Sequence, residues 1–76
     1  MTEFQYELDA RGEKCPSPVK KTKQILNQMD HDDVVHVMTT DPASEHDLSI
    51  LLKAVDDEML ESSNEDGVFH YYIKKR

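Results

Sequence analysis

The chain of 76 residues has one cysteine, two glycines, and nine basic residues against sixteen acidic ones. Each shortage excludes something. One cysteine cannot close an internal disulfide, and two glycines cannot build a glycine-rich phosphate loop. No apolar run approaches the ~18 residues of a membrane span. The formal charge of −7 disfavours general attraction to phosphate backbones, so direct nucleic-acid binding is not expected. The start Met1-Thr2-Glu3-Phe4-Gln5-Tyr6-Glu7 is acidic and lacks the basic opening and apolar middle of a signal peptide. The expected compartment is therefore the reducing cytoplasm, where the thiol stays free. A chain this short is expected to form a single domain over residues 1–76, a monomer when free, with a small core and no deep pocket.

The bases that are present are unevenly placed. Arg11, Lys14, Lys20, Lys21 and Lys23 surround Cys15, whereas residues 30–66 hold twelve acids and only Lys53 as a base. Solvated surface explains most charge runs of this kind. The coincidence of this one with the only nucleophilic thiol makes Arg11, Lys20, Lys21 and Lys23 candidates for partner docking.

Phe4, Tyr6 and Leu8 alternate with Glu3, Gln5, Glu7 and Asp9, the period of a half-buried strand. Val19, Thr22, Ile25, Leu26 and Met29 form one stripe on a helix over about residues 16–29, ended by Asp30-His31-Asp32-Asp33. Val34 to Thr39 is β-branched and nearly continuously apolar, which predicts a central strand. Asp41-Pro42 marks a turn, Ser44 to Asp47 has capping-box spacing, and Leu48, Leu51, Leu52, Val55 and Met59 line a second helix. Leu60–Ser63 and Val68–Ile73 flank Asn64-Glu65-Asp66-Gly67, a hairpin signal. The order is β-α-β-α-β-β. It predicts an α+β, two-layer sandwich with both helices on one face of a four-stranded mixed sheet. Met29, Met38 and Met59 read as core filling, and Phe69, Tyr71 and Tyr72 as packing within the last strand.

Cys15-Pro16-Ser17-Pro18 joins the first strand to the first helix. Proline suits the first helical turn, whose N–H groups lack intrahelical acceptors. Pro16 and Pro18, with Gly12 turning the chain just before, thus predict Cys15 at or beside the helix N-cap. Free amides and the helix dipole favour a thiolate there, Lys14 reinforces them, and a persulfide anion on the same sulfur would gain equally. A lone cysteine is more often a small buried hydrophobe; Glu13, Lys14 and Ser17 beside it argue for exposure. His31, His36, His46 and His70 lie in a loop, two strands and a helix start without metal-ligand spacing, so neither a metal nor an organic cofactor is expected.

Leu8-Asp9-Ala10-Arg11-Gly12-Glu13-Lys14-Cys15-Pro16-Ser17-Pro18 resembles the signature of the TusA/SirA sulfur-carrier family, as do Asp41-Pro42, Asp47 and the end Ile73-Lys74-Lys75. The resemblance spans nearly the whole chain. It implies the two-layer fold and a persulfide-relay sulfurtransferase in which Cys15 carries sulfane sulfur, with Pro16 and Pro18 positioning it and no role assigned to Asp47. It also implies a protein sulfur donor, a cysteine desulfurase or rhodanese-like protein, and a protein acceptor in tRNA thiolation, cofactor sulfuration or sulfur oxidation. Three positions depart from the family pattern. Glu13 replaces a residue that is often apolar, and Leu52 and Asp57 replace a cysteine and a histidine found in some members. With no second cysteine, a relay within the chain is excluded. A non-catalytic regulatory or scaffold module with the same fold is the alternative, and a thiol redox sensor is disfavoured by the lack of a resolving cysteine.

Overall fold

The computed structural model describes residues 3–14 and 17–76. Its elements follow the order β1 (Tyr6–Ala10), α1 (Ser17–Gln28), β2 (Val34–Thr39), α2 (Ser44–Val55), β3 (Glu58–Glu65) and β4 (Val68–Lys74). The strands form one mixed sheet in the order β1-β2-β4-β3, with β1 parallel to β2 and the other two pairings antiparallel. The α+β, two-layer arrangement expected from the sequence is the one observed.

Both helices cover one face of the sheet. Leu26 and Met29 following and within the α1 stripe, and Leu48 and Leu52 of α2, pack on Val35 and Val37 of β2 and on Tyr71 and Ile73 of β4. The outer positions of the same two strands, Val34, His36 and Met38 with Val68, His70, Tyr72 and Lys74, face the other way. β2 is central, and five of its six residues are buried.

Several local expectations are corrected. The cap of α2 is not a Ser44–Asp47 box: the N-cap is Ala43, which makes no side-chain cap bond, and Ser44 is the first helical residue. The Ser44 hydroxyl is drawn inward, 3.0 Å from the buried phenol oxygen of Tyr71. Met59 is not on the α2 stripe. Asp56 adopts a left-handed conformation (φ 59°) that ends the helix, and Met59 reaches the core from β3. The last hairpin is tighter than Asn64–Gly67, because Asp66 and Gly67 alone turn the chain, with φ of 52° and 83°. Positive φ at both positions gives the twist that two-residue hairpins require. Phe4 does not extend the alternation of β1. The chain bends at Gln5, whose amide donates to the Val34 carbonyl, and the Phe4 ring packs beside His36 and Tyr72 on the helix-free face.

Candidate functional site

Because β1 and β2 are parallel, the loops that follow them emerge at the same end of the sheet, as do the N-termini of α1 and α2. In the first loop Gly12 has φ of +82°, a conformation strained for any residue with a Cβ, and it turns the chain toward α1. The Gly12 amide donates to the Thr40 hydroxyl across 2.9 Å, tying the two loops together. The second loop is braced by its own polar residues: the Thr39 hydroxyl accepts from the Asp41 amide, and the Asp41 carboxylate accepts from the Ala43 amide. Gly12, Glu13, Lys14, Thr40, Asp41 and Pro42 line a cleft of about 480 Å³ between the loops.

Cys15 and Pro16 lie outside the described residues. The residues that bracket them, Lys14 and Ser17, are joined by a bond from the Ser17 amide to the Lys14 carbonyl (3.0 Å). Ser17 and Pro18 open α1, so Pro18 occupies the first turn, where a missing N–H costs nothing. Pro18 is buried, and its carbonyl accepts from the buried Thr22 hydroxyl at 2.7 Å, which anchors this end of the helix.

The two helix N-termini differ electrically. The first turn of α2 carries Glu45 and Asp47, which compensate its positive end; the first turn of α1 has no acid. The positive end next to Cys15 in the chain is thus the one left uncompensated by its own first turn.

The basic cluster divides into two groups. Arg11 turns back on Asp9 with a bidentate guanidinium–carboxylate pair at 2.9 and 2.8 Å, and its amide donates to the same carboxylate. These bonds from Arg11 hold the Asp9 carboxyl at about 2, and the carboxylate in turn raises the Arg11 pKa. Lys21 is drawn to Glu13, with its Nζ 2.7 Å from the carboxylate. Lys14, Lys20 and Lys23 are exposed and take part in no ion pair among the described residues. Of the four bases read as docking candidates, two therefore spend their charge locally.

Sequence reasoning overlooked Thr40 and the Glu13–Lys21 pair. The signal for Thr40 was its place just after the predicted central strand. A parallel pairing with the first strand would have set it beside Gly12. Asp57, which departs from the family pattern, lies just beyond α2 and is buried. It accepts from the Arg76 amide, and Lys75 Nζ stands 3.9 Å from its other oxygen, so it ties down the end of the chain. His36 and His70, far apart in sequence, meet at 2.9 Å on the helix-free face. Among the described residues, no group of three or more His, Cys, Asp or Glu side chains is arranged to hold a metal ion, and no helix is long and apolar enough to cross a membrane.

Comparison with known proteins agrees with this architecture. The chain is 44% identical over 75 residues to the sulfur carrier protein TusA of Allochromatium vinosum, covering 99% of each chain. It is 31% identical over 68 residues to the putative sulfur carrier protein YrkI of Bacillus subtilis, covering 90% of this chain and 91% of that one. The crystal structure of a SirA-like protein from Desulfitobacterium hafniense superposes with a TM-score of 0.83 at 26% identity, covering 92% of this chain and 96% of that one. The family model described as sulfurtransferase TusA matches residues 6–75, from the first residue of β1 to the residue after β4. The match therefore takes in the whole sheet, both helices and the Cys15 segment between β1 and α1, and places the chain in the TusA family.

Proposed function

We propose that this protein is a sulfur carrier that accepts sulfane sulfur as a persulfide on Cys15 and passes it to another protein. The observation that carries the reading is the near full-length match to a sulfur carrier, in a chain whose one cysteine stands two residues before a helix with no acid in its first turn.

The chemistry is a thiolate exchange. The Cys15 thiolate attacks the terminal sulfur of a donor persulfide. A new sulfur–sulfur bond forms at Cys15, the bond between the donor cysteine and its terminal sulfur breaks, and the donor leaves as a thiolate. The positive end of α1 and the charge of Lys14 favour the anionic sulfur before and after transfer. Gly12 turns the chain ahead of the segment that carries it, and Pro18 fixes the first turn of the helix that follows. With one cysteine in the chain, no internal thiol can expel the sulfur by closing a disulfide, so the persulfide persists until an acceptor arrives.

The donor fits the description of a cysteine desulfurase or rhodanese-like protein, and the acceptor is a second protein that delivers sulfur to tRNA thiolation, cofactor sulfuration or sulfur oxidation. A thiol-dependent relay of this kind suits a reducing compartment such as the cytoplasm. Lys14, Lys20 and Lys23 supply the positive field that an acidic partner surface would meet first.

Intact-mass spectrometry tests the reading. After incubation with free cysteine and a cysteine desulfurase, or with a low-molecular-weight persulfide, the protein gains one sulfur atom that a reductant removes. Cys15→Ser does not gain it. A wild-type mass left unchanged by these donors, while the thiol still alkylates, would overturn the carrier reading in favour of a binding module.

A further inference from the structure

The helix-free face of the sheet is built unlike a surface meant for water. An antiparallel face turned to solvent usually carries polar or charged side chains. Here the outward positions of the two central strands are Val34, His36 and Met38 on β2 and Val68, His70, Tyr72 and Lys74 on β4, with one charge among seven. Phe4 folds over this stripe with 41% of its surface still exposed, its ring 5.1 Å from His36 and 6.0 Å from Tyr72. The His36 and Tyr72 rings stack at 4.5 Å, and the His36–His70 hydrogen bond fixes the third ring beside them. The result is a ridge of aromatic and imidazole rings in mutual contact.

The two edge strands frame this ridge with charge of one sign. β1 contributes Glu7 and Asp9; β3 contributes Glu58, Glu61 and Glu65. Local bases already answer some of them: Arg11 holds Asp9, and Arg76 reaches Glu58 at 3.3 Å. Lys74, the one base on the strands of this face, pairs with Asp32. Among the described residues, Glu7 and Glu65 form no ion pair with a lysine or arginine, although Glu7 feels the charge of Arg11 at longer range. Glu7 stands 3.5 Å from His36 and Glu65 3.9 Å from His70, with side chains 53% and 75% exposed. One stands on each side of the ring stripe.

We propose that this face is a second docking surface, and that its occupant is a protein surface apolar at its centre and flanked by lysine or arginine. An apolar, aromatic centre within a charged rim is the anatomy of a protein–protein interface. The sign of the rim selects the partner and speeds its approach. A second copy of the same face is disfavoured, since it would set Glu7 and Glu65 against their own counterparts. The face is also separate from the loops at residues 11–14 and 40–43. A partner held on it leaves the sheet end free, so a carrier could be held by one protein while it exchanges with another.

The test uses the full-length, isotope-labelled protein and three synthetic peptides, alternating Lys with Leu, Lys with Gly, and Glu with Leu. Backbone amide shifts map the contacts. The Lys–Leu peptide is expected to perturb Glu7, His36, His70, Tyr72 and Glu65, and to bind more tightly than either other peptide. Glu7→Lys combined with Glu65→Lys should weaken it roughly tenfold at low salt while the amides of α1 and α2 keep their positions. Tyr72→Ala should weaken the Lys–Leu peptide and leave the Lys–Gly peptide unaffected. Perturbations centred on Glu45 and Asp47 of α2 and on Asp56 just after it, equal binding of the Lys–Gly peptide, or no binding would each overturn the proposal. So would self-association that the Glu7→Lys, Glu65→Lys variant abolishes, because the occupant would then be a second copy.

Discussion

Lys21 Nζ lies 2.7 Å from the carboxylate of Glu13, which precedes the proposed sulfur-carrying cysteine by two residues in the sequence. Both partners are partly exposed, so the pair adds no more than about 1 kcal/mol to stability. Its consequence is electrostatic. Glu13 cancels one of the bases that an acidic partner would otherwise meet, leaving Lys14, Lys20 and Lys23 to set the local field. Glu13→Gln is therefore expected to release Lys21 and speed association with an acidic sulfur donor at low salt, with a steeper salt dependence. Lys20→Glu should slow association more than Lys21→Glu does. Stopped-flow association rates at two ionic strengths decide the matter, and equal effects of the two reversals would mean that the pair is not maintained in solution.

Ser44 and Tyr71 form a buried hydroxyl pair at 3.0 Å, joining the start of α2 to the middle of β4. Ser44→Ala leaves the phenol without its partner, and a destabilisation of about 1–3 kcal/mol is expected in urea unfolding. Burial raises the Tyr71 pKa above 10.0, and the Ser44 bond opposes that rise. Since the folded pKa is the higher one, this contribution to stability is fully present below the unfolded value and is lost as pH climbs from 10.0 through the folded pKa. Ultraviolet titration should place Tyr71 above 10.0, and Ser44→Ala should move it further up. A Tyr71 that titrates no higher than 10.0 would remove the basis for both expectations.

The parts of this fold that were legible in the sequence are those where periodicity and burial agree. Val34 to Thr39 announced a central strand because it lies between β1 and β4 with five of its six residues buried, and Val19, Thr22, Ile25, Leu26 and Met29 announced α1 because one stripe faces the sheet. Errors arose where two periods share residues. Met59 continues the helical spacing from Val55, yet the left-handed Asp56 ends the helix and the same side chain reaches the core from a strand. Ser44 has capping chemistry, but a buried phenol competes for its hydroxyl more effectively than the helix end does. At the candidate site, Gly12 and Pro18 could be read from backbone requirements alone. The Gly12–Thr40 tie and the meeting of His36 with His70 could not, since they depend on strand order and register across 28 and 34 residues of chain, nor could the Glu13–Lys21 pair, which depends on how the loop meets α1.

Asp9 and Arg11 supply a pH-dependent marker on the loop that leads to Cys15. The Arg11 hydrogen bonds lower the Asp9 pKa from 3.8 to about 2. A depressed carboxyl stabilises the fold above its unfolded pKa, and that contribution is lost as pH falls from about 4 toward 2. The pair lies in the solvent-exposed surface, which keeps the effect on global stability small. The sharper readout is the carboxyl carbon of Asp9 by NMR, expected to titrate near 2 in the native protein and near 3.8 in Arg11→Gln. Superimposable curves for the two proteins would show that the guanidinium is not held against Asp9.

His36 and His70 test whether the ring stripe on the open face is rigid. Their nitrogens are 2.9 Å apart, so one ring donates and the other accepts, and the bond requires at least one of the two to be neutral. His36 is 8% exposed, and its other nitrogen has no hydrogen-bond partner among the described residues. Removing His70 would therefore leave a buried imidazole with no hydrogen bond, its Nδ1 keeping only the 3.5 Å approach of Glu7. His70→Ala is expected to destabilise the protein by about 1–3 kcal/mol. Replacing both histidines by phenylalanine removes donor and acceptor together while keeping the stacked rings, and should cost less than His70→Ala alone. Urea unfolding of wild type and the two variants measures the difference. If His70→Ala unfolds with the wild-type midpoint and slope, the hydrogen bond contributes nothing, and the order of the stripe must come from ring stacking on Phe4 and Tyr72.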